Sequence, residues 1–283
     1  MTVCIIGLGL MGGSMALALQ KNNLSTFIVG VDNNENNALI AIKLGLVNHV
    51  DTLANAIQKA DVIIIAIPVD STVNVLPFIL DNVKKNTVVL DMGSTKEAIC
   101  SAIASHKNRH QFVATHPMWG TENSGPMAAE KNAFGGKAVI ICEHEKSSEA
   151  ALKTTQNIYT AIGMHLIYMQ PNAHDVHTAY ISHISHITSF ALANTVLEKE
   201  KEDDAIFELA SAGFESTVRL AKSDANMWVP IFMQNRENVL DVLNEHIAQL
   251  KKFKSCLEKE NVPYLFELIN KANGIKQVLA KKA

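Results

Sequence analysis

Val3-Cys4-Ile5-Ile6-Gly7-Leu8-Gly9-Leu10-Met11-Gly12-Gly13-Ser14 opens the chain, and Met15-Ala16-Leu17-Ala18-Leu19-Gln20 follows it. The first four residues are a short apolar run, as a strand buried on both faces requires. The last six are good helix formers. A second apolar run, Phe27-Ile28-Val29-Gly30-Val31, ends at Asp32, twenty residues after Gly12. Strand, glycine turn, helix, strand and acid in that order form the fingerprint of a dinucleotide site. The glycines alone would mark only a turn; the flanking strands and the spaced acid give them meaning.

Each position has a physical reason. Gly7 permits the tight turn out of the strand, and Gly9 lets backbone approach a pyrophosphate. Gly12 lets the helix lie close on the strand. Leu10 and Met11 begin a helix whose free N–H groups and partial positive charge face phosphate. Asp32 would accept hydrogen bonds from the adenosine ribose and repel the extra phosphate of NADP. No arginine follows it closely, only Asn33, Asn34 and Glu35. NAD is therefore the expected cofactor.

Composition narrows the rest. At 283 residues, with 48% hydrophobic, the chain has ample core for two domains or one large one. A net charge of −3 and no long basic block argue against nucleic acid and anionic membrane as partners. The first apolar run lacks a preceding basic region and enters a glycine turn, so it reads as strand, not signal peptide. The longest apolar run, 62–69, is too short to span a bilayer. Cys4, Cys100, Cys142 and Cys256 have no paired spacing and read as small buried hydrophobes in a reducing, cytoplasmic compartment.

Downstream, apolar strand-like runs at 61–68, 87–91, 112–114, 137–142 and 165–168 alternate with helical stretches at 36–44, 72–82, 95–105 and 149–162. That alternation predicts an α/β domain with a mainly parallel sheet over residues 1–168. After Pro171 the period becomes helical. One long helix over 172–197, a solvated mixed-charge run over 198–204, and helices over 206–220, 228–254 and 264–280 predict an all-helical domain over 169–283. Val239, Leu243, Ile247, Leu250 and Leu257 form a stripe on it. Bundle core and subunit interface are both open readings of that stripe.

Two polar stretches follow strands of the sheet, where a dinucleotide fold binds its ligand. They are Asp91-Met92-Gly93-Ser94-Thr95-Lys96 and the Gly- and Pro-punctuated loop from Thr115 to Pro126. Ser94 with Glu97 fits a capping box, which competes with a catalytic hydroxyl. His116 ends a strand beside Pro117, and a neutral imidazole there can take a hydroxyl proton while hydride leaves the same carbon. On the long helix, His183 and His186 share a stripe with Ala179, Phe190 and Leu197, while His174 and His177 point elsewhere. Core histidines are the simpler account of that pair; facing a cleft is the sharper one. No carboxylate shares the stripe, so no metal site is expected. Arg219 is either solvated, paired with a nearby acid, or a bidentate clamp for a carboxylate, and Trp228 reads as plain core.

Together these segments resemble the prephenate dehydrogenase family. The matching pieces are the glycine turn 7–14, Asp91 to Lys96, His116-Pro117-Met118-Trp119-Gly120-Thr121-Glu122, Ser182-His183-Ile184-Ser185-His186, and Arg219 to Asp224 with Trp228. The resemblance runs in order from residue 1 to about 250. It implies a Rossmann-type domain and an NAD-dependent oxidative decarboxylation of prephenate to 4-hydroxyphenylpyruvate, on the way to tyrosine. It implies that His116 accepts the ring hydroxyl proton and that Ser94 holds that hydroxyl and the imidazole. It implies that Arg219 binds a carboxylate, that His186 and His183 line the substrate site, and that Thr121 and Glu122 stand at its mouth. It also implies a homodimer through the helical domain, which favours the interface reading of the stripe. Ser216 departs from a common Asp, so the electrostatic partner of Arg219 is either missing or replaced by Glu215. Trp119 departs from a common small residue. Arogenate dehydrogenase is the near alternative. A β-hydroxyacid dehydrogenase would need a lysine on the long helix, and 172–197 has none. A non-catalytic NAD sensor would not need three histidines in a cleft.

Overall fold

A strand buried on both faces must present apolar side chains in both directions, and the central strands here do so. The computed structural model describes residues 1–200 and 207–280. Its first half alternates strand and helix: β1 (Thr2–Ile6), α1 (Leu10–Lys21), β2 (Phe27–Val31), α2 (Glu35–Lys43), β3 (His49–Val50), α3 (Leu53–Lys59), β4 (Val62–Ile65), α4 (Val69–Asn82), β5 (Val88–Asp91) and α5 (Glu97–Ala102). β6 (Phe112–Pro117), β7 (Ala138–Cys142), α6 (Glu149–Ala161) and β8 (His165–Met169) complete the sheet. Its order is β3-β2-β1-β4-β5-β6-β7-β8. All neighbours are parallel except β6 and β7, which run antiparallel. The expected mainly parallel α/β sheet is therefore present. The two-residue edge strand β3 carries too few residues for a period to show in sequence.

Alternation along β1 sends Val3 and Ile5 into one core layer and Cys4 and Ile6 into the other. α1 and α6 cover the first face with Met15, Leu19, Ile158 and Tyr159. The second face takes Ile57 from α3, Leu76 and Ile79 from α4, and Ile99 from α5. Each such fully buried aliphatic side chain contributes roughly 1.5–3 kcal/mol of transfer free energy.

After β8 the chain is helical. α7 (Pro171–Thr178) continues through a π-helical turn, Ala179–His183, into α8 (Ile184–Glu200). The expected long helix is thus present with one wide turn inside it. The mixed-charge run at 198–204 lies mostly outside the described residues. The single helix expected over 206–220 is broken into a 3-10 turn, α9 (Ala212–Val218) and a second 3-10 turn, Arg219–Lys222. α10 (Ala225–Gln234) places Trp228 and Ile231 in the second core layer of the sheet. The expected 228–254 helix stops at Asn235, which caps α10, and restarts as α11 (Arg236–Glu258). α12 (Val262–Ala272) and α13 (Ile275–Ala280) end the described chain.

The first compact unit runs from Met1 to Arg236, and the second begins at Glu237. Within the second, Ile247, Leu250 and Leu257 of the apolar stripe are exposed, as are Phe266 and Ile269 on α12. No described helix is long and apolar enough to cross a membrane.

The sheet order reverses between β1 and β4, and the crevice above that switch point is where an open α/β sheet receives its ligand. The turn after β1 meets the end of β4 there. A Cβ on Gly7 would lie 2.4 Å from the Ala66 carbonyl oxygen, and one on Gly12 only 1.9 Å from that of Gly7. Gly12→Ala should therefore lower stability by roughly 1–3 kcal/mol through overpacking against backbone that cannot yield. Chemical denaturation of the variant measures this, and an unchanged midpoint would show that α1 can tilt away freely.

Candidate active site

The turn after β1 is shaped for a phosphate. Gly7 adopts φ +92°, which an L side chain avoids. A Cβ on Gly9 would meet nothing within 4 Å, so the space above it is open. α1 starts there with no side-chain cap and no acid in its first turn. Its leading N–H groups are left to a ligand. Asp32 closes the other end of the cradle. Its Oδ2 accepts from Leu8 N at 2.8 Å and its Oδ1 from Asn34 N at 2.8 Å, which fixes the carboxylate beside the turn. The open glycine, the uncapped helix and the fixed acid fit the pyrophosphate and ribose of a dinucleotide.

Gly9, Leu10 and Met11 line one wall of a cavity of about 580 Å³, and His116 lines another. His116 is the penultimate residue of β6. Its Nδ1 lies 2.8 Å from His174 Nε2, and His174 Nδ1 lies 2.7 Å from Asp175 Oδ1. A carboxylate only accepts, so His174 carries its proton on Nδ1 and accepts at Nε2. His116 then donates from Nδ1, and its remaining nitrogen, Nε2, is a lone pair. Burial holds His116 well below the ordinary histidine value, helped by the nearby His174, Lys96 and His183. Burial also lowers His174, against the opposing pull of Asp175. Both rings are neutral, and His116, with its Nε2 left as a lone pair, lines the cavity.

Asp175 is itself held by α5. Its Oδ1 accepts from Lys96 N at 2.8 Å and its Oδ2 from Glu97 N at 3.0 Å. The expected Ser94–Glu97 capping box is therefore not formed, because a carboxylate from α7 already takes the leading N–H groups of α5. Ser94 lines the cavity instead. The Lys96 side chain is fully buried against Asp91. Asp91 also accepts from Gly93 N at 2.9 Å and from Thr115 N at 3.0 Å, the residue before His116. That satisfied ion pair ties the ends of β5 and β6 together.

The third wall comes from the helices. His183 and His186 both line the cavity, with Trp228 and Leu220. His186 donates from Nδ1 to the Ser182 carbonyl at 3.0 Å and stacks on Trp228, ring centroids 3.4 Å apart. Burial lowers both histidines, His183 to about 4. Arg219 is half exposed at the rim and bonds Glu122, which with Thr121 lines the cavity. Its expected substitute partner Glu215 lies instead 3.8 Å from Lys222, and Ser216 bonds the Gly213 carbonyl. Trp119 also lines the cavity, its ring set edge-on against Phe134 at 5.6 Å. No cluster able to hold a metal ion occurs among the described residues.

The family model for the nucleotide-binding domain of prephenate dehydrogenase matches residues 15–168, and that for its dimerization domain matches 170–271. The chain belongs to the prephenate dehydrogenase family. A prephenate dehydrogenase of Bacillus subtilis is 31% identical over 281 residues, 98% of this chain and 76% of its own. A cyclohexadienyl dehydrogenase of Zymomonas mobilis is 29% identical, over 94% of this chain and 91% of its own. The crystal structure of prephenate dehydrogenase from A. aeolicus, in complex with hydroxyphenyl propionate and NAD+, superposes with a TM-score of 0.89. It is 27% identical, with 98% of both chains covered.

Within this prephenate dehydrogenase fold, His116, Ser94, Thr121, Glu122, His183, His186, Gly9, Leu10 and Met11 share one cavity, and Arg219 reaches it through Glu122. Gly7, Gly12 and Asp32 shape the cradle from behind. Sequence reasoning missed His174 and Asp175. It turned His174 away from the site by assuming an unbroken α-helix. The π turn at Ala179–His183 shifts that phase. The available signal was the His-Asp pair just after Pro171.

Three buried neutral histidines make stability depend on acid. An unfolded chain binds their protons at the ordinary value near 6.5, whereas His116, His174 and His183 resist them in the fold. Their contribution is therefore complete above about pH 6.5 and is lost as pH falls toward the folded values. Thermal unfolding across about pH 7.5 to 4.5 should show Tm dropping only on the acid side. A level Tm over that span would mean that these rings titrate in the fold as they do in the unfolded chain.

Proposed function

We propose that this chain oxidises prephenate with NAD, releasing carbon dioxide and 4-hydroxyphenylpyruvate. The observation that carries the reading is the His116 Nε2 lone pair, oriented by His174 and Asp175 in the cavity that the glycine turn also lines. NAD, held by Gly7, Gly9, Leu10, Met11, Gly12 and Asp32, supplies the hydride acceptor. His116 takes the proton of the ring hydroxyl as the carbon beneath it becomes a carbonyl carbon. Ser94 hydrogen-bonds that hydroxyl and keeps it against the imidazole. Breaking the bond to the ring carboxylate then releases carbon dioxide and leaves an aromatic phenolate, which takes back the proton held by His116, a strongly downhill sequence. The protein supplies mainly orientation and one base.

Arg219 clamps a substrate carboxylate at the rim, exchanging its bond with Glu122 for a charge-assisted one. His183, His186 and Thr121 line the space for the side chain, and Glu122 screens what enters. Residues 1–168 form the dinucleotide half and 169–283 the substrate and dimerisation half, a reading supported by the family matches over 15–168 and 170–271. Two copies meet through the helical half, covering the exposed Ile247, Leu250 and Leu257. Four buried free cysteines suit a reducing cytoplasm.

The test is NADH formation from prephenate and, in parallel, from arogenate, which differs by an amino group for the side-chain keto oxygen. Prephenate should be the better substrate; faster turnover of arogenate would reassign the specificity. His116→Asn should lower kcat by roughly 10²–10⁴ while NAD still binds. Turnover close to normal in that variant would remove His116 as the base. Arg219→Ala should chiefly raise the KM for prephenate, about tenfold or more, because it deletes a charged hydrogen bond to the substrate. An unchanged KM would place the clamp on another side chain.

A further inference from the structure

Asn235 takes no part in the steps above, yet it touches both arms of the site. It caps the end of α10 and is only 3% exposed. Its Nδ2 donates to the Asp175 backbone carbonyl at 2.7 Å and lies 3.1 Å from His183 Nδ1. A carbonyl oxygen only accepts, so the amide must turn its NH2 group toward Asp175. Reversing it would set two acceptors against each other. The second Nδ2 hydrogen then meets His183 Nδ1, and that nitrogen must be a lone pair.

We infer that Asn235 is a positioning residue that fixes His183 as the Nε2–H tautomer and so gives the cavity a neutral hydrogen-bond donor for a substrate oxygen. The inference rests on reading this cavity as the prephenate site. Trp228 and Phe232 hold the ring edge-on, with centroids at 6.0 and 6.4 Å, which limits its rotation. The titratable groups around it are Asp175, His174, His186 and His116. His183 remains uncharged near neutral pH, so its donor does not depend on protonation. These two imidazoles thus have opposite roles. His116 offers a lone pair because His174 takes its Nδ1–H, whereas His183 offers an N–H because Asn235 gives to its Nδ1. Asp175 links them, with its carboxylate on the first arm and its backbone carbonyl on the second.

Asn235→Asp in the full chain tests this. A carboxylate of nearly the same shape can only accept, so it should pull a proton onto His183 Nδ1. The direct readout is the imidazole 15N signal of His183, without substrate or NAD, assigned by its loss in His183→Gln. The wild type should show the neutral Nε2–H form and Asn235→Asp the Nδ1–H or doubly protonated form. With prephenate, the variant's KM should rise about tenfold near pH 8 and less near pH 6, where a doubly protonated ring again carries Nε2–H. The effect on kcat should be smaller, and NAD affinity should hold. A wild-type ring protonated at Nδ1, or a ring signal unmoved by the substitution, overturns the inference. If Asn235→Asp does not fold, the wild-type spectrum alone decides. If the wild type fails to oxidise prephenate, the proposed reaction falls while the ring signals still decide the tautomer.

Discussion

One carboxylate, that of Asp175, holds the site together in two directions. It takes the first backbone N–H groups of α5 and the Nδ1–H of His174. Both Asp175 and His174 are almost wholly buried, so water does not compete for these bonds. The direction of the His116 lone pair therefore depends on where α5 begins. The Lys96–Asp91 pair sets that start by anchoring the turn after β5 to the strand ends. Losing one member of such a buried, satisfied set strands its partners, an effect on the order of 3–5 kcal/mol for an ion pair.

The charges of the site are sorted by depth. Neutral imidazoles, kept so by burial, occupy the interior of the cavity, while Arg219 and Glu122 meet at its half-solvated rim. The sorting follows from solvation. A full charge is tolerated where water can reach it, and a general base is competent only where it is not already protonated. An anionic substrate can thus be gripped at one end by a cation and handled at the other by groups that add no charge to a low-dielectric interior. The exceptions are the buried Lys96, which carries its counter-ion Asp91 with it, and the Asp175 carboxylate, which is met by three N–H donors.

Much of this was legible in the sequence because it rests on local rules. The glycine turn, its helix and Asp32 follow from backbone sterics within the first 32 residues, and the strand runs declare themselves by continuous apolar side chains. His116, Ser94, His183 and His186 are short-range signals set after strands or on one helix stripe. What stayed hidden depends on contacts between distant segments. Asp175 caps a helix that begins about eighty residues earlier, and its use there removes the local cap that Ser94 and Glu97 suggested. Glu122 pairs with Arg219 across 97 residues, which no inspection of the neighbouring Glu215 could reveal. Asn235 and His183 meet only because α10 folds back onto the second face of the sheet.

The wide turn at Ala179–His183 has a bearing on how this scaffold tolerates change. A π-helical turn behaves as one residue inserted into an otherwise regular helix. Removing it by deletion would rotate everything beyond it by about 100° relative to everything before. His174 and Asp175 would stay with the relay, while His186 and Phe190 would swing round the cylinder, away from Trp228. The histidine relay and the cavity wall lined by His186 are therefore kept in phase by a single surplus residue. The helix can be lengthened or decorated at its far end, but no regular helix of the same composition can replace its middle.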